Sequence, residues 1–453
     1  MAERQRVLFV TYHFAPVAGV ATERCRKFVK YLPEFGWETT ILTESLEKAQ
    51  RTKPLEIDEQ CFEELPTGLE IVRVDAPVLG GGSATARTQP PVRTSPQGQS
   101  SPAPPESNRR GWLRSLAAGM LSPDLFLLWI PVALMRGIRL VRKRNCSAIF
   151  ATGPIFSALP LAALVSFATR RPLIVDYRDP WGENDAFFKD RPHKQRYNLF
   201  LERLCLSQSA RAVFATEGFR KLYAERHPDL AARFVVIPNG YDRDPGRIPA
   251  PPEHGTEPYR IGYAGKMFGD QYPVEPLFRA VHALVEKRGA DCIRLELAGV
   301  IDPASEALLD ELDLREVVSL RGYLGRAAVE DLQARSHALL LIIGDELPFL
   351  FGLESAKLFE YMPLRRPILG LVPENGAAWK ILEEHELGPL ASPSDRDSIA
   401  RAIECLLDGR ASSRVFEPPV EFQRRQLTER LAALLHEVTS VASPIRHSQE
   451  TPA

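Results

Sequence analysis

Short unbroken apolar runs alternate with longer amphipathic stretches almost from one end of the chain to the other. In the first half the runs Val7–Thr11, Thr39–Thr43, Glu70–Val74, Ala148–Ala151, Leu173–Tyr177, Ala212–Ala215 and Phe234–Ile237 read as strands. In the second half the same reading falls on Tyr259–Ala264, Ile293–Ala298, Val317–Arg321, Ala338–Ile343 and Pro367–Leu371. Most lack the in–out alternation of a strand with one wet face, so they predict strands buried on both sides. Strand and helix signals in alternation predict parallel sheets covered by helices, an α/β fold.

The 453 residues are too many for one core. The alternation breaks at residues 237–258, "IPNGYDRDPGRIPAPPEHGTEP", which is rich in Pro and Gly and has no apolar period. This predicts a first domain over residues 1–240, a hinge at 241–258 and a second domain over 259–415. Ligands bind such sheets at the carboxyl ends of their strands, so two facing sheets would place a site in the cleft between them. Residues 80–111 are dominated by Pro, Ser, Gly and Gln and predict a disordered insertion in the first domain. Residues 416–441 predict a final helix, with Leu427, Leu431, Leu434 and Leu435 at helical spacing, and 442–453 a disordered tail.

Composition narrows the class. The chain is 44% hydrophobic and 25% charged with a net charge of -1, as in a globular protein with sizeable cores. That balance argues against nucleic-acid binding through a basic surface. The six cysteines stand far apart, without a C-x-x-C or zinc spacing, and predict reduced, mostly buried thiols in a cytosolic protein. The N-terminal apolar run is too short for a secretion signal, and no run is long enough to span a bilayer.

The densest chemistry lies in "GLESAKLFEYMPLRRPILGL", residues 352–371. Lys357 and Glu360 are three apart and share a helix face. A cation beside a carboxylate suits a nucleoside diphosphate, whose phosphates need the charge and whose ribose hydroxyls need an acceptor. A plain surface ion pair is the alternative. Two strands run into glycine-containing turns, at Gly19 and at Gly265–Lys266, where backbone N–H groups and a lysine can meet phosphate. The alternatives are a packing requirement at Gly19 and a solvated loop lysine at 266.

"LIVDYRDPW" places Asp176, Arg178, Asp179 and Trp181 at a strand's carboxyl end, either as site residues or as a pair shaping the turn before Pro180. His13 is the histidine at a strand end facing the expected cleft. The D-x-D pairs Asp242/Asp244 and Asp395/Asp397 fall in exposed "DRD" contexts, and no metal site is expected at either. The apolar and basic stretch 111–144 divides in two. Residues 131–144, with Ile130, Leu134, Ile138 and Val141 on one face, are expected to pack on the sheet. Residues 109–130, with Arg109, Arg110, Trp112, Arg114, Phe126 and Trp129, are expected to touch an anionic membrane surface.

Taken in order, "VLFVTYHFAPVAGVATERCRKFVKYLPEFGWETTILT", "IVDYRDPW", "VVIPNGYD", "IGYAGKMF" and "AKLFEYMPLRRPILGL" resemble the retaining GT-B glycosyltransferases of family 4. The resemblance covers most of the chain outside the insertion and tail. It implies two Rossmann-like domains facing across a cleft, the second holding a nucleotide-sugar donor. It implies that Glu360 binds the donor ribose, that Lys266 neutralises the diphosphate and that the turn at Gly19 faces the phosphate. Together with the reading of the residues above, the donor-binding candidates are Gly19, Gly265, Lys266, Lys357, Leu358 and Glu360, and the catalytic candidates His13, Arg178 and Asp179. It also implies that the final helix returns to the first domain.

The chain departs from the family's pattern at three places: Gly352 where a first glutamate stands, Gln271 and Tyr272 where a second basic residue is common, and Arg178 or Asp179 in place of a histidine. The function implied is transfer of a sugar to an acceptor hydroxyl in glycan or polysaccharide biosynthesis, with no metal and no cofactor beyond the donor. The partners implied are the donor and a glycan or lipid-linked acceptor, at a cytoplasmic site or on the inner face of the membrane. A non-catalytic nucleotide-sugar-binding subunit and a GT-B epimerase are the rival readings.

Overall fold

In the computed structural model the described residues are 4–17, 19–46, 57–75, 129–182, 192–244, 248–253, 258–268, 271–346, 348–410 and 416–442. The expected insertion at 80–111 and the tail from 443 onward lie outside them. The chain divides into two compact units: residues 1–215, 219–238 and 425–453, and residues 216–218 and 239–424.

The first unit is built on β1 (Gln5–Val10), β2 (Trp37–Glu44), β3 (Glu70–Val74), β4 (Ala148–Thr152), β5 (Leu173–Tyr177), β6 (Arg211–Phe214) and β7 (Phe234–Val236). They form one sheet in the order β3-β2-β1-β4-β5-β6-β7, and every ladder is parallel. The direction of winding reverses between β1 and β4, which is where such sheets open a crevice. The covering helices are α1 (Val20–Tyr31), α2 (Ile130–Lys143), α3 (Ala158–Thr169), α4 (Pro192–Gln208) and α5 (Glu217–Arg226).

The second unit repeats the plan. Its strands are β8 (Tyr259–Met267), β9 (Ile293–Ile301), β10 (Val318–Leu320), β11 (Ala338–Ile342), β12 (Ile368–Leu371) and β13 (Leu390–Ala391), in the parallel order β10-β9-β8-β11-β12-β13. Its helices are α6 (Glu275–Arg288), α7 (Pro303–Glu311), α8 (Arg326–Arg335), α9 (Ala356–Tyr361), α10 (Ala377–Glu384) and α11 (Arg396–Leu407). The last helix, α12 (Arg424–Ala442), seats Leu427, Leu431 and Leu435 in the core of the first unit beside Phe28 and Trp37.

All of the expected strands are present, because continuous apolar runs are buried on both faces, as in β4, β5, β11 and β12. Two corrections bear on the site. First, β8 and β9 run past their expected ends, so Gly265 and Lys266 stand on a strand, paired with Gly299 and Val300, and not in a turn. Gly299 permits this. Its φ is 122°, and a Cβ there would lie 1.9 Å from the Gly265 carbonyl oxygen, a space open to glycine alone.

Second, the buried face of α2 centres on Ala133, Gly137, Leu140 and Val141, while Ile130, Leu134 and Ile138 pack only at its flank. The absence of a side chain at Gly137 draws α2 close to α3: a Cβ there would meet Val165 at 2.9 Å. All six cysteines are free thiols, and Cys25, Cys61, Cys146 and Cys205 are buried.

Candidate functional site

The second unit collects the chemistry at the carboxyl end of β8, next to the point where its sheet reverses winding. The helix α9, which follows β11, lies against that strand end. The hydroxyl of buried Tyr361 hydrogen-bonds the Ala264 backbone and fastens α9 there. One position before α9, Ser355 has φ 58° and ψ 136°, a conformation that L residues seldom adopt. Such strain is held only where surrounding structure enforces it, and here it sits at the turn that carries Lys357 to the strand.

Lys357 lies across Gly265. A Cβ at Gly265 would come within 2.7 Å of Lys357 Cε and 2.8 Å of Nζ, so the glycine makes room for the ammonium. The Nζ stands 5.4 Å from the ring centre of Tyr263 and 5.9 Å from that of Tyr272. Both distances fit a cation over aromatic faces. Burial pushes the lysine below its ordinary pKa; Glu360 opposes that shift and Lys266 adds to it. Burial also raises the phenols of Tyr263 and Tyr272, which stay neutral and present their rings to the cation. Tyr263 Oη donates to the Lys266 carbonyl at 2.7 Å and holds the end of the strand.

The residues expected at a donor site separate here. Gly265, Lys266, Lys357 and Glu360 come together, with Lys266 and Glu360 exposed and Lys357 largely enclosed. Leu358 turns its side chain fully into the core, which leaves only its backbone for a ligand. Nothing in the sequence marks Tyr263 as part of the site except its place two residues before Gly265, on the same face of β8. Tyr272 stands where a second basic residue is common, and its ring is one wall around Lys357. Tyr272 also lines a cavity of about 260 Å³ with Phe268, Asp302, Asp345 and Glu346. Those carboxylates would repel phosphate, which leaves Lys357 and Lys266 as its partners.

In the first unit Gly19 precedes α1 with φ 112°, and a Cβ there would meet nothing within 4 Å. His13, after β1, lies 2.5 Å from Glu44 at the end of β2, through Nδ1 and Oε1. Arg178 donates to the Gly153 carbonyl, and Asp179 is exposed. Asp176 and Trp181 are structural. Asp176 is fully buried and accepts from Arg24 Nε at 3.1 Å, Arg24 Nη2 at 2.9 Å and Thr152 Oγ1 at 2.7 Å. Trp181 stacks on Phe156 and donates from Nε1 to Asn198 at 2.8 Å. Trp129, expected at a membrane surface, is completely buried with its ring edge-on to Tyr12. The rest of that stretch, 109–128, lies outside the described residues.

Of the D-x-D pairs, Asp395 caps α11, accepting from the Asp397 and Ser398 amides at 2.9 and 3.0 Å. Asp397 pairs with Arg396.

Residues 19–240 match the protein family described as "Glycosyl transferase 4-like domain". No curated relative matches the chain significantly. Among solved structures, a sucrose-phosphate synthase from Thermosynechococcus elongatus superposes with a TM-score of 0.60 at 14% identity, over 97% of this chain and 100% of that one. The Anabaena protein Alr3699/HepE, in complex with UDP and glucose, superposes with a TM-score of 0.57 at 13% identity, over 96% and 100%. WaaG, a glycosyltransferase involved in lipopolysaccharide biosynthesis, gives 0.52 at 15% identity, over 97% and 100%. Similarity at this level establishes the fold. The protein has the GT-B fold of two Rossmann-like units, and residues 19–240 are similar to a glycosyl transferase 4-like domain.

Proposed function

We propose that this protein is a glycosyltransferase that moves a sugar from a nucleoside-diphosphate sugar to an acceptor hydroxyl. The observation that carries the reading is the enclosed ammonium of Lys357, set between two tyrosine rings over Gly265 and flanked by Lys266 and Glu360. A cation desolvated in advance interacts strongly with charge that develops beside it. When the bond between sugar and diphosphate breaks, negative charge grows on the departing phosphate. Lys357 and Lys266 are placed to take it up, while Glu360 accepts hydrogen bonds from ribose hydroxyls. The family match over residues 19–240 and the similarity to Alr3699/HepE, solved in complex with UDP, support the same substrate class.

Two lysines at the leaving group give a route that needs no metal, and retention of the anomeric configuration follows the family resemblance. His13, Arg178 and Asp179 are assigned to the first unit's share of the reaction, with a glycan or lipid-linked acceptor in polysaccharide biosynthesis on the cytoplasmic side. The test is thermal stabilisation by a panel of nucleotide sugars, since a ligand of the folded state raises its melting temperature by mass action. One donor should stabilise the wild type. Lys357→Met should abolish the shift and leave the melting temperature of the free protein equal or higher. A variant that keeps the full shift, or a panel in which nothing stabilises the wild type, sinks the reading.

A further inference from the structure

The sequence of α3, "ALPLAALVSFAT", is apolar on every side. A helix of that kind is ordinarily enclosed. Here one side is enclosed, through Ala158, Leu159, Leu161, Ala162 and Val165, and the other faces outward. Phe167 is 74% exposed and Leu164 45% exposed. The helix lies between α2 and α4, packed against both. Its neighbours extend the apolar surface with Val132 and Met135 on α2 and Tyr197, Phe200 and Leu204 on α4. Single exposed apolar residues are commonplace, whereas a continuous patch over three adjacent helices marks an interaction surface.

The charge around the patch selects the partner. Between Asp124 and Asp176 the chain has no Asp or Glu, yet it has seven Arg or Lys, in a protein whose net charge is only -1. Arg136, Arg139, Arg142 and Lys143 of α2 and Arg170 at the end of α3 are exposed beside the apolar residues. The three helices contain a single acidic residue, Glu202, and it is fully buried, bonded to Tyr223. An apolar centre with a predominantly basic margin, in which Arg203 pairs with Asp229 and Arg144 with Glu70, matches the boundary between acyl chains and anionic headgroups, where long basic side chains reach the phosphates while aromatic rings sink below them.

Spanning is excluded for α3 by its 12 residues, about 18 Å of helix against a hydrocarbon core of about 30 Å. Among the described residues no helix is long and apolar enough to cross a membrane. We propose that the outer face of α2, α3 and α4 is a peripheral docking surface for an anionic lipid bilayer, centred on Phe167. This surface is distinct from the one expected at residues 109–130, of which only Trp129 and Ile130 are among the described residues, Trp129 being buried.

The test is co-sedimentation of the full chain with vesicles of phosphatidylcholine and phosphatidylglycerol, against vesicles of phosphatidylcholine alone, at low and high salt. Binding should require the anionic lipid and weaken as salt screens it. Phe167→Glu and, separately, Arg136→Glu/Arg139→Glu should each reduce the partition coefficient by about tenfold or more. Both alter exposed side chains and should melt as the wild type does; if Phe167→Glu does not, the arginine pair decides. Absence of binding to anionic vesicles at low salt overturns the proposal, as does binding that the arginine pair leaves unchanged. A wild-type dimer that Phe167→Glu dissociates, without vesicle binding, assigns the face to a second copy of the chain and likewise overturns it.

Discussion

Arg24 in the first unit and Lys357 in the second are both enclosed cations near the carboxyl ends of a parallel sheet, and they are satisfied in opposite ways. Arg24 is 1% exposed and spends its guanidinium on both Asp176 carboxylate oxygens and on the carbonyls of Ile237 and Pro238, the last two at 2.7 Å. It ties α1 to β5 and to the end of the first unit's sheet. Lys357 faces two aromatic rings and interacts with Glu360, and its proton is held less tightly than in water. A cation whose donors already meet acceptors is scaffold. A cation desolvated among rings stabilises an incoming anion more than it stabilises the fold.

The comparison makes predictions of different size. The largest concerns Arg24. Arg24→Met leaves Asp176 buried without its ion pair and should cost about 3–5 kcal/mol in denaturant unfolding. Adding Asp176→Asn should return much of that loss. If Arg24→Met unfolds like the wild type but abolishes nucleotide-sugar binding, Arg24 is a site residue and the contrast collapses.

Next in size is Glu360→Gln, which removes a charged acceptor from an exposed position. Donor affinity in calorimetry should fall by about 1–3 kcal/mol with the melting temperature unchanged. Unchanged affinity moves the ribose contact to another residue.

The smallest effect is the pH dependence of stability. The lowered pKa of Lys357 means that the unfolded chain binds this proton more tightly than the folded one, so the lysine subtracts from stability at neutral pH. That subtraction fades as pH rises from the depressed folded value towards the ordinary 10.5. The stability advantage of Lys357→Met over wild type should therefore be greatest near neutrality and vanish by about pH 10.5. An advantage that does not change with pH would show that Lys357 titrates normally and is not desolvated.

Much of this is legible in the sequence. The parallel strands were readable because a run such as "ALLLI" of β11 has no polar position to turn towards water. The pairing of Lys357 with Glu360 followed from helical period, whereas Gly265, expected in a turn, stands on β8. Other features were not legible. Nothing local distinguishes Asp176 from Asp179, yet one is fully buried on Arg24 and the other is exposed. Trp129 looked like a membrane anchor beside basic residues, and it packs edge-on to Tyr12, 117 positions away in the chain. Asp395 was expected to hold no metal, but nothing in its exposed "DRD" context marked it as a helix cap.

The sequence alone determined the class of fold, the division into two units and the segments that carry charge to strand ends, because apolar periodicity and glycine placement act over a few residues. Tertiary structure decided which of those charges are scaffold and which gather at the end of β8 beside Lys357. Desolvation and ion pairing depend on groups far apart in the chain: Arg24 meets its carboxylate across 152 positions. Lys357 owes its enclosure to Tyr263 and Tyr272, which reach it only once β8 and α9 are folded together. The same holds for the outer face of α3, where an apolar sequence promised burial and only the packed helices show that one side is left open.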